Sequence, residues 1–100
     1  MTQYAIADIG SNTIVLLVYE MVGHYPTPIL HISTPAHLID YVNEDRIMSK
    51  EGILKATEVL QSYADKLDEM HVQYRFADIT EPCRIQNKEE LVASLQTTGW

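Results

Sequence analysis

The reading of the fold turns on residues 4–20: Tyr4-Ala5-Ile6-Ala7-Asp8-Ile9, Gly10-Ser11-Asn12-Thr13, then Ile14-Val15-Leu16-Leu17-Val18-Tyr19-Glu20. The first run is short and mostly apolar, and it reads as a buried strand. Four polar residues follow that tolerate turn geometry or bond to nearby backbone. The third run is dominated by β-branched and apolar residues, as in a second strand. Two strands about a four-residue polar turn predict a β-hairpin.

Working outward, Gly23 to Pro28 reads as a second turn and Ile29 to Ser33 as a third strand, its prolines at or beyond the ends. Thr34 to Met48 is mixed. His37 to Val42 reads either as an extension of that strand or as loop, and Asn43 to Arg46 as polar loop. Ser49 is a good N-cap, with Glu51 in the following turn. Ile53, Ala56, Leu60, Tyr63 or Ala64, Leu67 and Met70 then recur at three- and four-residue spacing, which predicts a helix over 50–70. Gly52 weakens its first turn by ~1 kcal/mol relative to alanine. His71 to Ile79 reads as a fourth strand, and Thr80 to Gln86 as a loop broken by Pro82. Asn87 with Glu90 has capping-box spacing and opens a second helix that stops near Gly99. The order β-β-β-α-β-α predicts an α/β fold, a mixed sheet with helices packed on it.

Composition bounds the function. With 100 residues, 46% hydrophobic and 21% charged, this is an ordinary globular composition and one small domain's worth of chain. No apolar run approaches the ~18 residues of a membrane span, and residues 1–4 have no secretory pattern. A single cysteine, Cys83, makes no internal disulfide, so a cytoplasmic setting is expected. Seven basic residues against fourteen acidic ones, net −7, argue against a nucleic-acid or membrane partner. They do not exclude a compact phosphate site built from backbone N–H groups and a metal.

Chemistry concentrates in two places. Asp8 is a carboxylate near the end of a buried-looking strand and needs a partner such as a metal, its water or backbone donors. Gly10 admits a phosphate close to the backbone, and Ser11, Asn12 and Thr13 offer donors. On local chemistry alone the simpler reading is a hairpin turn stabilised by Asp8 and Asn12. Arg84, in the loop Thr80-Glu81-Pro82-Cys83-Arg84, is placed either to meet a phosphate or to lie solvated. The histidines His24, His31, His37 and His71 lack metal-ligand spacing, and nothing nearby in sequence beyond Arg84 activates Cys83. Asp65, Asp68 and Glu69 read as a solvated helix face.

Ala5 to Thr13, followed by Ile14 to Val18, resembles the "A-I-D-I-G-S-N-S/T" opening of the exopolyphosphatase / guanosine pentaphosphate phosphatase (Ppx/GppA) family, within the actin-like ATPase superfamily. Three further stretches follow the family pattern in order. Met48 to Ile53 resembles "L-S-x-E-x-I", Ile79 to Arg84 resembles "A-T-S-A-L-R", and Asn87 through Thr98-Gly99 resembles "N…F-L…I…T-G". Two stretches depart from it. His37 to Tyr41 stands where the family has "R-L-G-x-G", and Glu81 and Pro82 replace small residues. The resemblance implies a ribonuclease-H-like half-lobe, with residues 1–100 the N-terminal part of the first lobe of a two-lobed protein. The family's second lobe and catalytic glutamate motif are not in these residues. It implies a hydrolase acting on phosphoanhydrides, removing terminal phosphate from polyphosphate or guanosine pentaphosphate with Mg²⁺. Asp8 would serve the metal; Gly10, Ser11, Asn12, Thr13 and Arg84 would bind phosphate, with the general base outside these residues. A homodimer is implied at full length, and self-association for a fragment. The alternative is a non-catalytic module that binds phosphate, a nucleotide or a protein.

Overall fold

The structure is a computed structural model that describes residues 2–80 and 85–100. Strands β1 (Gln3–Ile9), β2 (Thr13–Val22) and β3 (Tyr25–Pro35) come first. A 3₁₀ turn (Leu38–Tyr41), helix α1 (Lys50–Met70), strand β4 (Tyr74–Ile79), helix α2 (Lys88–Leu95) and a last 3₁₀ turn (Gln96–Thr98) follow. This is the expected β-β-β-α-β-α order. The strands form one open mixed sheet in the order β3-β2-β1-β4. β1 pairs antiparallel with β2 and parallel with β4, and β2 pairs antiparallel with β3.

Period-two alternation sorts β1 and β2 into two faces. Ala5, Ala7, Ile9, Ile14, Leu16 and Val18 are fully buried and join Ala56, Leu60, Tyr63 and Leu67 of α1 in one core. The opposite face is uncovered and carries Tyr4, Ile6, Asp8 and, by register, Tyr74, Phe76 and Asp78. Ser49 caps α1 as expected, its hydroxyl accepting from Gly52 N–H at 3.2 Å. At the other end His71 turns left-handed (φ 60°), its N–H meets Asp68 and Leu67 carbonyls, and Val72 tucks into the core. That cap is why β4 starts at Tyr74 and not at His71. No helix among the described residues is long and apolar enough to cross a membrane.

Two further expectations are corrected, and one reading left open is settled. β3 is longer than Ile29 to Ser33 and includes Pro26 and Pro28. It lies at the sheet edge, where a missing N–H costs no ladder bond on the open side, and a bulge at Val18/Tyr19 absorbs the irregular pairing. His37 to Val42 does not extend the strand. His37 takes a left-handed conformation (φ 51°), and Leu38–Tyr41 coils as a 3₁₀ turn. Asn87 precedes α2 but its side chain makes no cap bond. Its Oδ1 accepts from Met48 N–H and its Nδ2 donates to Met48 O, both at 2.9 Å, because the buried Met48 backbone has stronger need of partners than an exposed helix end.

Candidate functional site: a donor-rich loop beside Asp8

The β1–β2 turn is held from behind by the chain that follows β3. Gly10 N–H donates to Thr13 O (3.2 Å) and closes the turn. Asn12 O accepts from both Ala36 N–H (3.0 Å) and His37 N–H (2.8 Å), and Ser11 O accepts from Ile39 N–H (2.8 Å). The Ser11 and Asn12 carbonyls are therefore engaged. No hydrogen bond among the described residues engages the N–H groups of Ser11 and Asn12, or the side chains of Ser11, Asn12 and Thr13. Ser11 is buried, while Asn12 and Thr13 are exposed. A turn whose Ser11 and Asn12 carbonyls are engaged while their N–H groups have no partner among the described residues is suited to an anion. The left-handed His37 that blocks the strand is thus part of what shapes the loop.

Asp8 sits on the uncovered face of β1, half-buried. Its partner is the Thr80 hydroxyl, which donates to Oδ1 at 2.8 Å across 72 residues of sequence. Thr80 N–H in turn donates to Ile9 O at 3.1 Å, carrying the β1–β4 pairing one residue past β4. A Cβ added at Gly10 would lie 4.0 Å from Thr80 Oγ1 and only 3.0 Å from Thr13 O, so glycine keeps both the turn and the space beside Thr80 open. The parallel register also sets Asp78 directly across from Asp8.

The structure therefore brings Asp8, Gly10, Ser11, Asn12 and Thr13 into one turn. Arg84 and Cys83 lie outside the described residues. Thr80 and Asp78 were missed as site neighbours in sequence, because only the β1–β4 register places them beside Asp8. The one signal available was Thr80's place in the flagged stretch Ile79 to Arg84. Among the described residues no three His, Cys, Asp or Glu side chains gather into a metal-binding group. What is present still fits Mg²⁺, which binds hard carboxylate oxygens, one or two at a time, and fills its sphere with water and phosphate. Asp8 Oδ2 has no partner among the described residues. The largely apolar hollow of about 210 Å³ between β4 and α2 includes Ala77, Ile79, Val92 and Trp100, and belongs to the opposite, helix-covered side.

This sheet, with its opening hairpin turn beside a strand-end carboxylate, defines an open-sheet α/β domain with four mixed strands and helices packed on one face. No protein-family model and no curated protein matches the chain. Solved structures do match it. One is the Aquifex aeolicus member of the Ppx/GppA family, at TM-score 0.88 and 25% identity over 99% of this chain and 33% of that one. A further structure of the Aquifex aeolicus PPX-GPPA enzyme matches at TM-score 0.86 and 26% identity, over 98% of this chain and 33% of that one. An exopolyphosphatase from Cytophaga hutchinsonii shares the fold at TM-score 0.87 and 22% identity, over 97% of this chain and 31% of that one. In particular, then, the chain is similar in fold to structures of the Ppx/GppA family, in keeping with its opening motif, and it spans about one third of the length of these structures.

Proposed function

We propose that this domain supplies the phosphate-binding hairpin of a phosphoanhydride hydrolase that removes terminal phosphate from inorganic polyphosphate or guanosine pentaphosphate. The observation that carries this reading is the loop Gly10 to Thr13, whose Ser11 and Asn12 carbonyls are engaged from behind while the Ser11 and Asn12 N–H groups have no partner among the described residues. The family likeness to the Aquifex aeolicus enzyme supports it.

In this reading the N–H groups of Ser11 and Asn12 and the side chains of Ser11, Asn12 and Thr13 grip the phosphoryl oxygens. Gly10 keeps a side chain from the approach. Asp8 holds Mg²⁺ or its water, and Arg84 neutralises charge on the phosphate, a role taken from its place in the motif Thr80 to Arg84. Bound Mg²⁺ would supply electrostatic stabilisation of charge on the phosphoryl oxygens. No residue of this chain is assigned as general base. The reaction acts through positioning and charge, since in-line attack by water on a phosphoanhydride leaves little covalent work for the protein.

The test is phosphate release from polyphosphate and from guanosine pentaphosphate with Mg²⁺ by a full-length protein containing this domain and the general base, as wild type and Asp8→Ala. Release abolished by Asp8→Ala supports the reading, and release unchanged by it removes Asp8 from the chemistry. Phosphate or nucleotide binding without release points instead to a binding module. One observation favours that second reading: His37 to Tyr41 lacks the arginine and glycines of the family pattern and is coiled against the back of the loop.

A further inference from the structure

We infer that Thr80 is a positioning residue for Asp8, a role that rests on the phosphate-loop reading for its use but on geometry for its existence. The Thr80 hydroxyl donates to Asp8 Oδ1 at 2.8 Å and thereby occupies one carboxylate oxygen. Oδ2 is left without a partner among the described residues. Thr80 is itself fixed, because its N–H donates to Ile9 O at 3.1 Å, immediately before the loop. The same hydroxyl lies 4.0 Å from where a Cβ on Gly10 would sit, so the hydrogen bond holds the carboxylate beside the start of the loop.

The neighbourhood gives this bond a specific task. Asp78 stands in register with Asp8 on the adjacent strand, and like charges directly opposite repel. Neither carboxylate has a cationic partner among the described residues. Without a donor at Thr80, Asp8 has no other side-chain hydrogen bond among the described residues to keep it in one rotamer, and Asp78 favours rotamers that swing it away. An exposed or half-buried carboxylate held by one charge-assisted hydrogen bond is therefore a pre-set ligand. Serine at this position supplies the same hydroxyl; valine matches threonine in shape and supplies none.

The experiment uses the whole chain, as wild type, Thr80→Val, Thr80→Ala and Thr80→Ser. Side-chain rotamers of Asp8 are read from three-bond NMR couplings without metal. Wild type and Thr80→Ser should each show one χ1 rotamer; Thr80→Val and Thr80→Ala should show averaging. Folding of each variant is read from the same amide spectra, and Thr80→Ala serves if the valine variant fails to fold. A single Asp8 rotamer persisting in a folded variant without the hydroxyl overturns the inference, as does averaging in Thr80→Ser. Mn²⁺ relaxation titrations in the presence of inorganic phosphate add a second readout. Loss of the hydroxyl should weaken Mn²⁺ binding about 10-fold, the scale of losing an outer partner of a metal ligand, with serine restoring it. An Asp8→Asn arm separates the two ideas. If it leaves Mn²⁺ affinity unchanged, or if wild type binds no Mn²⁺, the metal role of Asp8 fails. The Thr80 inference is then decided by the rotamers alone.

Discussion

Replacing Gly52 by alanine should destabilise the protein, although the helix rule says the opposite. In an ordinary helix the change is favourable by about 1 kcal/mol. Here a Cβ on Gly52 would lie 2.5 Å from Tyr41 Cβ, 2.8 Å from Met48 Cγ and 3.0 Å from Tyr41 Cγ. Carbon atoms pack at about 3.5–4.0 Å, so Tyr41 must retreat by about 1 Å. The nearest atom is Tyr41 Cβ, and moving it moves backbone. That backbone is pinned, since Ser49 N–H donates to Tyr41 O at 2.8 Å. Overpacking costs about 1–3 kcal/mol, and a pinned neighbour puts this case near the upper end. Subtracting the helix gain leaves a loss of about 2 kcal/mol. For a chain this size that lowers Tm by about 8–16 °C. The displacement should also reach the site, because Tyr41 ends the 3₁₀ turn whose Ile39 N–H holds Ser11 O. Equilibrium urea unfolding measures the first effect, and amide shifts of Ser11 and Asn12 the second. A Gly52→Ala variant as stable as wild type or more so would refute the packing argument.

Tyr63 donates its phenol proton to Ile14 O (2.8 Å) and accepts from Thr34 Oγ1 (2.6 Å), so Tyr63→Phe should cost about 1–2 kcal/mol in urea unfolding. Burial pushes that phenol above its ordinary value of 10.0, against a smaller opposing effect of the Thr34 hydrogen bond. Above pH 10 the unfolded chain therefore loses the proton first, so the stabilisation present at neutral pH falls as pH rises. The gap in stability between wild type and Tyr63→Phe should narrow between pH 9 and about pH 11, as unfolding curves at the two pH values would show. Asn87→Ala strips the buried Met48 backbone of two partners and should cost about 2 kcal/mol or more, with faster hydrogen exchange at Met48. Gly10→Ala brings a Cβ within 3.0 Å of Thr13 O, and should cost about 1 kcal/mol while weakening phosphate binding measured by calorimetry.

Much of the architecture is legible in short stretches. The short, mostly apolar run Tyr4 to Ile9 marks a strand, and the 3–4 spacing from Ile53 to Met70 marks α1, capped at Ser49 as expected. The turn Gly10 to Thr13 announces a hairpin in four residues. What local sequence left open or missed shares a cause. His37 to Val42 has strand-like composition but is turned aside by a left-handed residue that bonds to the loop. Asn87 has capping spacing but meets a needier partner 39 residues away. Gly52 looks like a flaw in α1 and is the gap that lets Tyr41 sit against the helix.

The element order, the hairpin and the residue types at its turn are legible locally, because periodicity and turn chemistry act over a few residues. Long-range contacts alone set which groups in that turn are engaged and which have no partner among the described residues. The carbonyls of Ser11 and Asn12 are engaged by residues 36–39, and Asp8 finds Thr80 and faces Asp78 only through the parallel β1–β4 register. Those relations depend on distances between segments up to 72 residues apart in sequence, and no local pattern encodes a register.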